Sequence, residues 1–220
     1  MYVRLKSMKN RMNTLVSIVD YGVGNLSNIQ RAFNIIGVNS IITSKPKEIM
    51  NSSHLLLPGV GAFEEGMTNL KNQNLVETVL EFSHSGRPVL GICLGMQLLL
   101  SCSYEGGKYS GLNLIEGEVI PLKKTLDIKI PNIGWNKLIK NSHIDSDDLL
   151  FRGISKDSYM YFLHSYQVQV EDSKDILSST IYGDNKFCST IRKDNIFGCQ
   201  YHPELSAENG LKILQNFINI

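Results

Sequence analysis

Residues 89–98 read Val89-Leu90-Gly91-Ile92-Cys93-Leu94-Gly95-Met96-Gln97-Leu98. An apolar run of strand character enters Gly-x-Cys-x-Gly, and a helical stretch leaves it. This is the form of a nucleophile elbow with cysteine in place of serine. Glycine on both sides removes the Cβ atoms that would clash in so tight a turn. Cys93 is therefore expected above the carboxyl end of a buried strand. It would lie at a helix N-terminus, whose partial positive charge favours a thiolate. The Leu94 N–H would point to where an oxyanion forms. The competing reading is a structural cysteine at a glycine-rich join, the usual fate of a buried thiol.

Working outward, the upstream chain alternates strand and helix. Residues 14–19 form a β-rich run ending at Asp20-Tyr21-Gly22. Residues 25–36 then place Leu26, Ile29, Ala32, Phe33 and Ile36 at helical spacing, and Gly37 stops them. A strand over 40–43 and a short helix over 46–50 follow. A strand over 54–57 halts at Pro58-Gly59-Val60-Gly61. Residues 63–82 are helical in pattern with a break near 72–74, 88–92 read as a strand and 94–102 as a helix. Such alternation argues a parallel sheet with helices on both faces.

Beyond about residue 105 the strands become short: 117–122, 135–139, 160–163, 167–170, 176–182, 189–193 and 196–201, before a last helix over 207–218. The expected fold class is α/β, a three-layer doubly wound, mainly parallel sheet with added antiparallel strands. The polar stretch 141–148, with its acidic run at 145–148, reads as a solvated loop.

The chain has 220 residues, with 22 basic and 21 acidic side chains. That balance gives no electrostatic reason to expect nucleic acid or an anionic membrane. Its longest uncharged stretch, 88–104, is too short and too interrupted to span a bilayer. Residues 1–12 carry Arg4, Lys6, Lys9 and Arg11 and no acid. They read as an unordered leader or an upstream start before Met12 rather than an interaction arm. They lack the apolar core of a signal peptide. Residues 13–220 would form the single domain. Cys93, Cys102, Cys188 and Cys199 show no CxxC spacing and read as thiols of a cytoplasmic protein.

A cysteine nucleophile needs a base and a group to orient it. Among the five histidines, His54 begins an apolar strand and reads as structural, and His84 and His143 fall in polar loops. His202 follows a strand in Gln200-Tyr201-His202-Pro203-Glu204. Pro203 ends that strand, and Glu204 can fold back to hold the imidazole. Cys102, on the helix after the elbow, and Cys199, in the strand before His202, read as packing residues.

Together these motifs resemble the class I, triad-type glutamine amidotransferases, and within them the glutaminase subunits of imidazole glycerol phosphate synthase. The narrower likeness rests on 20–25 (Asp-Tyr-Gly-Val-Gly-Asn), 58–63 (Pro-Gly-Val-Gly-Ala-Phe), 134–136 (Gly-Trp-Asn) and 161–166 (Tyr-Phe-Leu-His-Ser-Tyr). It covers residues 13–220.

The resemblance implies that Cys93 attacks the side-chain amide of L-glutamine. His202 moves the proton, Glu204 orients His202, and a glutamyl thioester is hydrolysed. It implies an oxyanion hole from Val60 and Leu94, and substrate contacts from Gly59, Gly61, Gln97, Glu105, His164, Ser165 and Tyr166. Glu105 would meet the glutamine ammonium. No metal or cofactor is implied. Ammonia would pass to a cyclase or synthase subunit of (β/α)8-barrel type in a heterodimer, with Asn25, Trp135, Asn136 and Tyr161 on the partner-facing side. Trp135 could instead be a core aromatic, and Tyr161 an ordinary strand residue.

Three residues depart from the family pattern: Leu205 where a basic residue is usual, Asn132 where histidine is usual, and Tyr201 where phenylalanine is usual. Leu205 and Asn132 are expected near the partner face. The departures leave room for a paralogue that supplies ammonia for amidation of a surface sugar. A peptidase or deglycase of related type tends to place histidine directly after the cysteine, where Leu94 stands. A non-catalytic scaffold would not need Cys93, His202 and Glu204 together.

Overall fold

The computed structural model describes residues 14–125, 128–142, 144 and 148–220. Residues 1–12, expected as a leader, His143 and most of the acidic run lie outside them. Strands β1 (Leu15–Val19), β2 (Asn39–Thr43), β3 (His54–Leu57) and β4 (Val89–Ile92) alternate with helices α1 (Leu26–Ile35), α2 (Pro46–Met50), α3 (Phe63–Asn72) and α4 (Val76–His84). The pattern break near 72–74 separates α3 from α4, with Asn74 in the left-handed region at φ 56°. His84 ends α4 instead of lying in a loop.

After the elbow, α5 spans only Leu94–Leu98, and Leu100–Ser103 is strand β5. The expected helix to residue 102 is thus corrected, and Cys102 is a half-buried strand residue. The Leu98-Leu99-Leu100 run is apolar on every side, so its period cannot separate helix from strand. Parallel pairing of β5 with β7 decides it.

The remaining strands are β6 (Tyr109–Ser110), β7 (Ile115–Pro121), β8 (Asn132–Lys137), β9 (Ile139–Lys140), β10 (Tyr159–His164), β11 (Tyr166–Val170), β12 (Ile176–Tyr182), β13 (Asn185–Lys193) and β14 (Ile196–Cys199). Helix α6 spans Ala207–Ile218.

The main sheet has the order β2-β1-β3-β4-β14-β13-β12-β9. From β2 to β14 the pairing is parallel, and from β14 to β9 it is antiparallel. Two small sheets, β10-β8 and β11-β7-β5-β6, pack beside it. Strand alternation divides the core between two faces. Val16, Ile18, Leu56 and Leu90 pack with Ile29, Phe33, Ile213 and Phe217 of α1 and α6. Leu55, Leu57 and Val89 pack with Ile49, Phe63, Leu70, Val79 and Phe82 of α2, α3 and α4 on the other face. Three layers result, as the alternation predicts.

Asp148 is not the solvated residue expected. Its side chain is 9% exposed and pairs with Arg192 at 3.4 Å, and its Oδ1 accepts the Leu150 N–H at 2.9 Å.

Candidate active site

Three neighbouring parallel strands end at the same edge. Leu57 of β3 is in register with Gly91 of β4, and Cys199 of β14 with Ile92. The loops that leave them, 58–61, the elbow and 200–204, therefore meet outside the carboxyl ends of the strands, where open α/β sheets build their sites.

Cys93 has φ 52° and ψ −109°, a strained conformation for a residue with a Cβ. The backbone pins it: its N–H donates to the Cys199 carbonyl at 2.7 Å. The glycines are required by close approach. A Cβ on Gly95 would lie 1.8 Å from the Leu57 carbonyl oxygen, and one on Gly91 2.6 Å from the Gly95 carbonyl oxygen. The thiol donates to the Leu163 carbonyl at 3.5 Å and accepts from Gln200 Nε2 at 3.7 Å.

His202 and Glu204 are buried together, with Nδ1 and Oε1 2.8 Å apart. A carboxylate accepts, so Nδ1 carries the proton and Nε2 is left for the thiol. Nε2 is buried and makes no hydrogen bond. Burial works against the imidazolium. Negative charge on the Cys93 sulfur and on the Glu204 carboxylate outweighs it and raises the imidazole to about 10. His202 is thus suited to take the proton of the thiol and to give it to a leaving amine. Its loop is held by the Tyr161 carbonyl, which accepts the His202 N–H at 2.9 Å, and by Ser206 Oγ, which donates to the His202 carbonyl at 2.6 Å.

A cavity of about 200 Å³ opens beside the thiol. Of the expected residues, Val60, Gly61, Cys93, Leu94, Gln97, Glu105, His164, Ser165 and Tyr166 line it. Gly59 does not line it, but stands where a Cβ would meet Leu94 Cβ at 2.8 Å. Glu105 Oε2 accepts the Phe63 N–H at 2.7 Å, which puts its charge at the N-terminus of α3. The buried Gln97 donates to the Tyr166 carbonyl at 3.2 Å and to Gln200 Oε1 at 3.1 Å.

The expected oxyanion hole is not assembled in this conformation. The Leu94 N–H donates to the Gly59 carbonyl at 3.3 Å. In a trans peptide the carbonyl and the following N–H point in opposite directions, so the Val60 N–H faces away. Turning over this one peptide unit would free Leu94 and aim Val60 inward.

Trp135 is 51% exposed, which rules out the core reading. Its ring meets Tyr161 edge to face, with centroids 6.0 Å apart. Asn136 is half-buried, and the exposed Asn25 caps α1 by accepting the Asn28 N–H at 3.3 Å. Asn132 is fully buried. Leu205 is 39% exposed. The unusual Tyr201 is fully buried, and its hydroxyl accepts from Thr190 Oγ1 at 3.2 Å. Cys199 is buried and its thiol is pushed up to about 12 by that burial, so it makes a poor nucleophile. His54 is buried with its ring edge-on to Phe217.

Sequence reasoning missed the roles of three residues. Tyr21, fully buried, donates its hydroxyl to the Pro58 carbonyl, just before the peptide that must turn. Gln200 holds the thiol, and Asn132 supports His164. Tyr21 and Gln200 lay inside motifs already singled out, but their roles appear only when β1, β3, β4 and β14 are brought into one sheet.

Comparison with known proteins agrees with this geometry. The family model of class I glutamine amidotransferases matches residues 17–220. The imidazole glycerol phosphate synthase subunit HisH of Sulfurimonas denitrificans is 44% identical over 206 residues, covering 92% of this chain and 97% of the relative. The subunit HisH 1 of Legionella pneumophila is 45% identical over 210 residues, covering 93% and 99%. A solved structure described as PurLQS from Thermotoga maritima superposes with a TM-score of 0.72 at 18% identity, covering 94% of this chain and 98% of that one. At that identity it supports the fold alone. On the extent of the match and the identity of the relatives, the chain belongs to the class I glutamine amidotransferases.

Proposed function

We propose that this chain is the glutaminase subunit of an imidazole glycerol phosphate synthase, acting in histidine biosynthesis. The observation that carries it is the buried Cys93, His202 and Glu204 set beside a cavity of amino-acid size, in a chain whose relatives bear that subunit's name.

Cys93 attacks the side-chain amide carbon of L-glutamine, bound in the cavity between 60–61 and 164–166. The thiol proton passes to His202 Nε2 as the sulfur–carbon bond forms and the carbonyl electrons move to oxygen. His202 Nε2 then delivers its proton to the departing nitrogen, and ammonia leaves. Water, deprotonated by His202, hydrolyses the thioester to glutamate and restores the thiol. Glu204 holds Nδ1–H throughout. Leu94 and Val60 stabilise the oxyanion only after the 59–60 peptide has turned, so docking of the synthase subunit is the natural trigger.

The partner is a (β/α)8-barrel cyclase in a cytoplasmic heterodimer, and Trp135, Asn136, Tyr161 and Asn25 face it. Residues 13–220 make up the amidotransferase domain. The name shared by the relatives favours the histidine-pathway subunit over a sugar-amidating paralogue. The reading is tested by co-purification. Capture of a barrel cyclase with glutamine-dependent formation of imidazole glycerol phosphate supports it, and capture of a sugar amidotransferase overturns it.

A further inference from the structure

We propose that Asn132 is a positioning residue for the glutamine cavity: its buried amide holds His164 as the neutral Nδ1–H imidazole, which fixes the Tyr166 carbonyl at the cavity rim. The inference rests on the glutaminase reading for the identity of the substrate. It rests on the network itself for the tautomer.

The chain of contacts has one consistent direction. His164 Nδ1 lies 2.8 Å from the Tyr166 carbonyl oxygen. A carbonyl only accepts, so Nδ1 bears the hydrogen. His164 Nε2 lies 3.1 Å from Asn132 Nδ2 and in the neutral ring can only accept. Asn132 must therefore donate, and its Oδ1 is held by Asn136 Nδ2 at 3.0 Å. Asn132 has no exposed surface, so neither amide atom can turn to water instead.

The Tyr166 carbonyl is the joint of the arrangement. It also accepts from Gln97, which donates to Gln200, which donates to the Cys93 sulfur. A continuous polar path thus joins Asn136, beside the exposed Trp135, to the nucleophile. If Asn132 only filled space, an apolar residue of the same shape would serve as well. The network predicts that it would not, because His164 Nε2 would be left buried without a donor.

The surroundings favour a neutral ring. Burial lowers His164 to about 4, against the Tyr166 carbonyl and with the charge of His202. The rings of Phe162 and Phe187 stand 5.7 and 4.8 Å from it. Glu105 and Cys93 share the cavity.

The test pairs ¹⁵N NMR of the His164 ring with glutamine kinetics of the complex with its partner subunit, in wild type, Asn132→Asp and Asn132→Leu. In wild type, Nδ1 is protonated, Nε2 is not, and the ring does not titrate between roughly pH 6 and 8. Asn132→Asp, the isosteric change, sets a carboxylate beside Nε2. His164 then titrates within that window, and the KM for glutamine follows the same titration. Asn132→Leu raises KM about tenfold with kcat within about twofold. A wild-type ring that is charged or Nε2-protonated at neutral pH overturns the proposal. So do folded variants with wild-type KM and an unchanged pH profile. A wild-type complex that forms no glutamate from glutamine defeats the glutaminase reading, and with it the role in glutamine binding, while the NMR still decides the tautomer.

Discussion

The Leu94 N–H donates to the Gly59 carbonyl oxygen at 3.3 Å. The donor that should stabilise the oxyanion is thus occupied by the chain itself, one peptide away from the assembled arrangement. One oxyanion-hole donor is worth roughly 10²–10³ in kcat. The isolated chain should therefore hydrolyse glutamine at least about 100-fold more slowly than the complex with its synthase subunit. Glutamate formation measured with and without the partner checks this. Equal rates would mean that the 59–60 peptide does not gate the reaction.

Tyr21 offers a way to loosen that peptide from behind. Its buried hydroxyl bonds to the Pro58 carbonyl. Tyr21→Phe leaves that buried acceptor unpaired, at a cost of about 1–3 kcal/mol. Thermal unfolding should move down by several degrees, and glutaminase activity of the complex should fall further than the stability change explains. A variant with wild-type kcat would remove Tyr21 from the positioning of 58–61.

Glu204→Gln keeps the shape of the His202 partner and removes its charge. The complex should lose roughly 10²–10⁴ in kcat. The alkaline limit of kcat/KM should also shift to lower pH, because one of the two interactions raising His202 is gone. The sign for stability is fixed by the same shift. His202 is raised in the fold, so its contribution is full below about 6.5 and is lost as pH climbs through about 10. Stability of Glu204→Gln should thus depend less on pH across that window. Denaturant midpoints at several pH values decide it, and an unchanged slope would contradict the assignment.

His54 and His164 act in the opposite direction. Burial lowers both to about 4, so below about pH 6.5 the unfolded chain takes up protons that the fold refuses. Stability should fall as pH drops from about 6.5 to 4, by about 1–3 kcal/mol per histidine. His54→Leu should flatten part of that loss. Urea midpoints that match at pH 7 and pH 4.5 would sink this prediction.

Much of this arrangement is readable from residue order, because local chemistry imposes it. Gly91 and Gly95 announce the elbow, since any side chain there would strike backbone. The alternation of 15–92 gives the parallel half of the sheet through period alone. What is not readable depends on pairing between distant segments. The Leu98–Leu100 run fits helix or strand until β7 lies beside it. Asn132 reads in sequence as a departure from the family pattern near the partner face, and only the pairing of β8 with β10 shows it buried opposite His164. The orientation of the 59–60 peptide cannot be read from Pro-Gly-Val-Gly, because glycine permits both orientations.

The most direct test of the central claim is glutamate and ammonia release from L-glutamine by the complex of this chain with its synthase subunit, comparing wild type with Cys93→Ala. The structure predicts one glutamate per ammonia in wild type. In the variant, turnover should fall by at least about 10³-fold while the two subunits still associate. Release that survives loss of the thiol, or a wild-type complex that leaves glutamine intact, would contradict it.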